Sequence, residues 1–215
     1  RPPAPVTPRD PRGLRCARVG GYFDVLTTEV REAFDRALDR LRDAGISIHA
    51  VDVAGTDAIT NAYVNIVLPE AAAWHDRHLD TRGSDYTPTV RARLEGGRLI
   101  RAVDYLAAQR ACDLLRAAVD AALGASDALL LPTLPIVAPR LGENEVVMAD
   151  GSRLPVRSAM LRHTQLFNMT GHPAISLPIA STGLPVGLQL VGRLNATAQL
   201  LAVAAACERI LEATC

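Results

Sequence analysis

The sequence predicts an α/β fold, a mixed β-sheet covered by helices. Short strand-like apolar runs alternate with long amphipathic segments from one end of the chain to the other. Residues 14–53 read strand, helix, strand, the pattern of a parallel β-α-β crossover. ALLLP at 128–132 is apolar at every position, as in a strand covered on both faces.

Taken in order, residues 1–13 hold five prolines and few backbone donors, so they read as an extended linker from an upstream segment. The first residue is Arg1, with no signal-peptide pattern after it. LRCARV at 14–19 is the first strand and GGYFD a turn. Over 28–44, Val30, Phe34, Ala37, Leu38, Leu41 and Ala44 recur at helical spacing, with Thr27 as the expected N-cap and Gly45 as the stop. ISIHAVDV at 46–53 returns as a strand.

Residues 56–79 read as helical, with Pro69 a candidate break; 88–95 read as a short helix and 101–123 as a long one. In the long helix Val103, Leu106, Ala107, Leu114, Ala118 and Ala122 are the expected inward face. Residues 132–156 are irregular, with a candidate hairpin turn at Asp150–Gly151. Residues 157–170 are expected to form one helix ended by Gly171 and Pro173. AISLP at 174–178 and VGLQLVG at 186–192 are strands, and 196–212 is the closing helix.

Composition narrows the chemistry. Hydrophobic residues make up 49% of the chain, enough for a packed core. Basic and acidic residues balance at 23 each, so no positive field draws the chain to nucleic acid or an anionic membrane. No apolar run is long enough to span a bilayer. All 23 basic residues are arginine, and no lysine is present. An arginine keeps its proton, so no side chain here can serve as a neutral amine base. Cysteines at 16, 112, 207 and 215 form no zinc or CxxC pattern and are read as buried free thiols in a cytoplasmic protein.

Local motifs for catalysis are weak. His75 and His78 share a helix face but lack a third ligand, so no metal site is expected. No serine lies in a nucleophile elbow, and nothing adjacent supports His163 or His172 as a base. TQLFNMTGHPAISLP at 164–178 is different: Thr164, Gln165, Asn168 and Thr170 are polar among apolar neighbours. They read either as a polar helix cap or as a pocket wall.

FNMTGHPAISLP, the STG turn, LPVGLQLVG and the final helix together resemble the C-terminal part of the amidase signature family. The strand–helix–strand over 14–53 and SDALLLPTLPIVAP agree with that family in order, so the resemblance covers about residues 14–212. It implies that 14–215 is the C-terminal part of an amidase domain, and a reaction that cleaves a carbon–nitrogen amide bond. It also implies a Ser-Ser-Lys mechanism with a Gly/Ser-rich nucleophile loop. This sequence has no such loop and no lysine, so no catalytic residue carries over.

The resemblance assigns Thr133, Thr164, Phe167, Asn168 and Thr170 to a substrate pocket and sets Arg93 near a substrate carboxylate. The implied partners are a small-molecule amide and an N-terminal half of the same protein, with a homodimer left open and no cofactor. Two alternatives stand beside this reading. One is a binding protein that retains half the fold. The other is the glutamine-using component of a tRNA amidotransferase, in which an acidic residue seven positions before the matching Asn grips glutamine; here that position is Leu161.

Overall fold

In the computed structural model, which describes residues 6–212, the opening crossover forms as β1 (Arg15–Val19), α1 (Thr28–Asp43) and β2 (Ser47–Val51). β1 and β2 run parallel, Arg15 opposite Ser47 and Val19 opposite Val51. Pro2, Pro3, Pro5 and Cys215 lie outside the described residues. Of the linker, Pro11–Gly13 forms a single 3-10 turn capped by the Asp10 side chain.

The described residues divide into two units, each described by itself. The first runs to Ala54 and resumes at Ala118; the second is Gly55–Ala117. The first unit holds a five-stranded sheet. After β1 and β2 come β3 (Ala128–Pro132), β6 (Ala174–Ile179) and β7 (Val186–Val191), in the order β2-β1-β3-β7-β6. β1 pairs parallel with β2 and β3, while β7 pairs antiparallel with β3 and β6, so the sheet is mixed. β3 is central and all five of its residues are buried, which accounts for its unbroken apolarity.

The pleat sends alternate residues to opposite faces. Cys16, Ala128, Leu130, Leu188 and Leu190 join Val30, Phe34 and Leu41 of α1 and Leu200, Val203 and Cys207 of α7 (Thr197–Glu212) in one cluster. The edge strands differ from the centre. β2 has no fully buried residue, and β6 alternates exposed Ala174, Ser176 and Pro178 with buried Leu177 and Ile179. Pro178 is tolerated because an edge strand does not need every N–H.

The irregular stretch after β3 carries a small hairpin, β4 (Glu145–Val147) with β5 (Arg153–Pro155). Its turn is at the expected dipeptide: Gly151 has φ 82°, and the Asp150 carboxylate accepts from the N–H and hydroxyl of Ser152. Met148 of the hairpin packs with Ile136 and Ala159, which ties the loop down.

The expected helix over 157–170 is two helices, α5 (Val156–Leu161) and α6 (Gln165–Thr170). Tertiary bonds break it. His163 turns fully inward and its Nδ1–H donates to the Pro132 carbonyl at 2.8 Å. Arg162 lies 3.7 Å over the Tyr22 ring and donates twice to the Tyr22 carbonyl. Gly171 ends α6 at φ 75°, as expected.

The second unit contains α2 (Ile59–Arg82), α3 (Pro88–Gly97) and most of α4 (Ala102–Leu123), whose last turns belong to the first unit. α2 continues through Pro69 without a break. In α4 the buried positions are Ala108, Cys112, Leu115, Val119, Ala122 and Leu123, whereas Val103, Leu106 and Leu114 are exposed. The helix is apolar on two stripes, and periodicity alone selects between them poorly.

Candidate functional site

The loop that leaves β3 is held at three points. The Pro132 carbonyl accepts from His163 Nδ1–H, and the Thr133 N–H donates to the Gly187 carbonyl at 2.7 Å. The Pro135 carbonyl accepts from the Thr27 N–H at 2.9 Å and from the Thr27 hydroxyl. Thr27 has N-cap backbone angles, but its side chain bonds this loop rather than capping α1.

The loop walls a cavity of about 530 Å³. Ile136, Val137, Met160 and Pro178 make it apolar, and among the described residues the only polar side chains on it are Thr133 and Ser176. Their hydroxyls are 2.6 Å apart. Gly187 sits against that pair: a Cβ there would lie 2.6 Å from Ser176 Oγ and 2.7 Å from Thr133 Oγ1. Ser176 enters the site because β6 pairs with β7 in the register that sets Ser176 opposite Gln189. A second cavity of about 530 Å³ shares Met160 and is lined by Glu143, Arg157 and half-buried Leu161.

Among the described residues, no histidine or carboxylate lines the first cavity. It can seat an apolar group and offer a hydroxyl pair, but it holds no general acid or base.

The other pocket candidates lie elsewhere. Thr164 is half-buried in the turn before α6 and its hydroxyl donates to the Leu161 carbonyl at 3.3 Å. Phe167 is buried and stacks on Phe23 with ring centroids 6.2 Å apart. Asn168 is exposed on α6. Thr170 is buried, with its hydroxyl 2.9 Å from His172 Nδ1. Arg93 is half-buried on α3 of the second unit. Ser176, Met160 and Gly187 were not singled out by sequence. The usable signal for Ser176 was its place on an alternating strand just after the FN-x-T-G-x-P segment.

Two histidines of the first unit are tied into the scaffold. His163 is completely buried, and desolvation lowers its pKa from 6.5 to about 4. With Nδ1–H given to Pro132, its Nε2 is a lone-pair acceptor, and among the described residues no donor meets it. His172 Nε2 lies 3.2 Å from Asp120 Oδ1 while Nδ1 meets Thr170, so Thr170, His172 and Asp120 form a relay. That relay resembles a catalytic triad in its order of groups, but its hydroxyl belongs to a residue only 1% exposed. It joins the end of α6 to the end of α4. In the second unit, His75 bonds Tyr86 at 2.9 Å. Among the described residues no group of three His, Cys, Asp or Glu side chains is placed to hold a metal ion.

The model of the Amidase family matches residues 3–201. The chain belongs to the amidase family. It is 38% identical over 168 residues to an amidase of Pseudomonas putida, covering 78% of this chain and 36% of that protein. It is 26% identical over 226 residues to the A subunit of glutamyl-tRNA(Gln) amidotransferase from Sulfolobus acidocaldarius, covering 94% of this chain and 46% of that one. Among solved structures, a crystal structure of an amidase superposes with a TM-score of 0.89 at 31% identity, over 96% of this chain and 48% of the other. The chain thus spans less than half the length of these amidase relatives. The mixed sheet with its covering helices is the amidase fold over that span, as the sequence predicted. Among the described residues, no helix is long and apolar enough to cross a membrane.

Proposed function

We propose that this chain supplies scaffold and substrate-pocket walls to an amidase that cleaves a carbon–nitrogen amide bond of a small molecule. The nucleophile, the second serine and the lysine base come from residues outside this sequence, in an N-terminal half of the same protein. One observation carries the reading: a family member without any lysine presents a cavity whose polar side chains are two hydroxyls and nothing that titrates. Amide hydrolysis needs a proton acceptor for a weak hydroxyl nucleophile, and this cavity lacks one.

The apolar lining supports an amide with an apolar portion. Leu161, where the glutamine-using amidotransferases carry an acid by the resemblance above, supports a substrate other than glutamine. Thr164, Phe167, Asn168 and Thr170 then act by shaping α6 behind the pocket loop, and Arg93 is a candidate for a substrate carboxylate. Three buried free thiols support a reducing, cytoplasmic setting.

The test is turnover of an aryl amide. The purified 215-residue chain is expected to show none. Co-expression with a polypeptide carrying the Gly/Ser-rich loop and the lysine is expected to restore it. Hydrolysis by the chain alone, surviving repeated purification, overturns the proposal.

A further inference from the structure

Of the two apolar stripes on α4, only one is used inside the chain. Ala108, Cys112 and Leu115 are buried, whereas Val103, Leu106 and Leu114 are 61%, 53% and 74% exposed. A single exposed leucine is ordinary on a protein surface. Here the exposed residues share one face. Val103, Ala107, Arg110, Leu114 and Ala117 are all exposed and succeed one another at intervals of four, three, four and three residues. That is the repeat of a coiled-coil seam, in which a helix turns the same side to a partner helix turn after turn. Leu106, three residues after Val103 and four before Arg110, borders the seam.

Charge decides what fits against it. Arg110 sits at the centre of the seam, and among the described residues no carboxylate pairs with it. Asp113 borders the seam on the same side as Leu106, with its side chain 70% exposed and its Oδ1 accepting from Arg116. A carboxylate can take a second guanidinium.

A helix with one cation in its seam and one carboxylate beside it complements itself in one orientation. In a parallel pair, Arg110 of one copy faces Arg110 of the other. In an antiparallel pair, Ala107 lies level with Ala117 of the second copy, and Arg110 lies level with Leu114 of the second copy. Arg110 then lays its methylene stem on that leucine and carries its guanidinium to the adjacent Asp113 of the second copy. The two-fold axis makes each contact twice.

We propose that the exposed stripe of α4 is a self-association surface, occupied by the same stripe of a second copy of this chain running antiparallel. The residues invoked all belong to the second unit, and the proposal does not rest on the amide chemistry. A stripe of four turns is smaller than the roughly 800 Å² per partner of a standard interface, so the dimer is expected to be weak and concentration-dependent.

Sedimentation velocity of the 215-residue chain, from micromolar to millimolar concentration, should show a monomer–dimer shift. Leu114→Glu changes an exposed residue, so circular dichroism should stay unchanged while dimerisation weakens by about tenfold or more. Arg110→Asp and Asp113→Arg each set like charges together and should weaken it, and the double variant should recover it. Orientation is read by oxidation in a Cys215→Ser background. A mixture of Ala107→Cys and Ala117→Cys chains should give the mixed disulfide, and neither chain alone should cross-link. A chain that stays monomeric throughout, a dimer indifferent to Leu114→Glu, or Ala107→Cys cross-linking to itself overturns the proposal. So does loss of the dimer on co-expression with a polypeptide carrying the Gly/Ser-rich loop, which would mark the stripe as the seat of an N-terminal half.

Discussion

Thr133 and Ser176 lie 43 residues apart and share a hydroxyl–hydroxyl contact of 2.6 Å beneath Gly187. Thr133 follows the end of β3 and Ser176 lies within β6, and the contact exists only because β7 lies between those two strands.

Gly187→Ala drives a methyl into that contact. The added carbon would sit 2.6 Å and 2.7 Å from the two oxygens and 3.1 Å from Thr133 Cβ. Overpacking of this kind costs about 1–3 kcal/mol. Urea denaturation should show that loss. Combining the change with Ser176→Ala should recover part of it, because one of the clashing atoms is gone. Strict additivity of the two changes contradicts this cause.

In the second unit, Gly97 is required by close packing of α3 on α2. A Cβ at Gly97 would meet the Leu68 carbonyl oxygen at 2.2 Å and its carbon at 2.7 Å. Helix backbone cannot step aside as a side-chain tip can. Gly97→Ala should therefore destabilise by about 3 kcal/mol or more. A methyl on neighbouring Gly96 would meet nothing within 4 Å, so Gly96→Ala should be neutral or stabilise by about 0.5–1 kcal/mol. Circular dichroism melts of the pair decide it.

His163 makes stability depend on pH. Its folded pKa is about 4 against 6.5 for an unburied imidazole, so the folded state favours the neutral ring. The unfolded chain binds the proton first. The stabilisation is complete above pH 6.5 and is lost as pH falls towards 4. Its size is on the order of 3 kcal/mol. A pH series of denaturation midpoints for the parent and His163→Leu should diverge in that interval, with the variant showing the shallower slope. Parallel curves contradict the assignment.

Cys16 and Cys207 are fully buried, and desolvation pushes both thiols up to about 12. Thiolate is the reactive form. Native protein treated with iodoacetamide near pH 8 should leave the peptides containing these residues unmodified, and denaturant should expose both. Rapid native labelling at either position contradicts their placement in the core.

The parts legible in sequence are those whose cause is local. Val30, Phe34, Leu38 and Leu41 lie on one side of α1 because helical spacing places them there, and Gly171 ends α6 because only a left-handed residue fits. The break at Arg162–Thr164 was not legible, because its cause is the Pro132 carbonyl and the Tyr22 ring, both far away in sequence. In α4 the apolar residues Val103, Leu106 and Leu114 satisfied the helical period yet are exposed. Of the pocket candidates, Thr133 lines the apolar cavity, while Ser176 joined it through strand register alone.

The sequence by itself determined the α/β class, the amidase resemblance and the absence of any amine base, since these depend on residue identity and short-range period. Only the tertiary structure decided which hydroxyls meet, that His163 pins a carbonyl, and which apolar stripe of α4 is left exposed. Those outcomes depend on the register of strands and the burial of groups distant in the chain, which arise from the summed packing of the sheet.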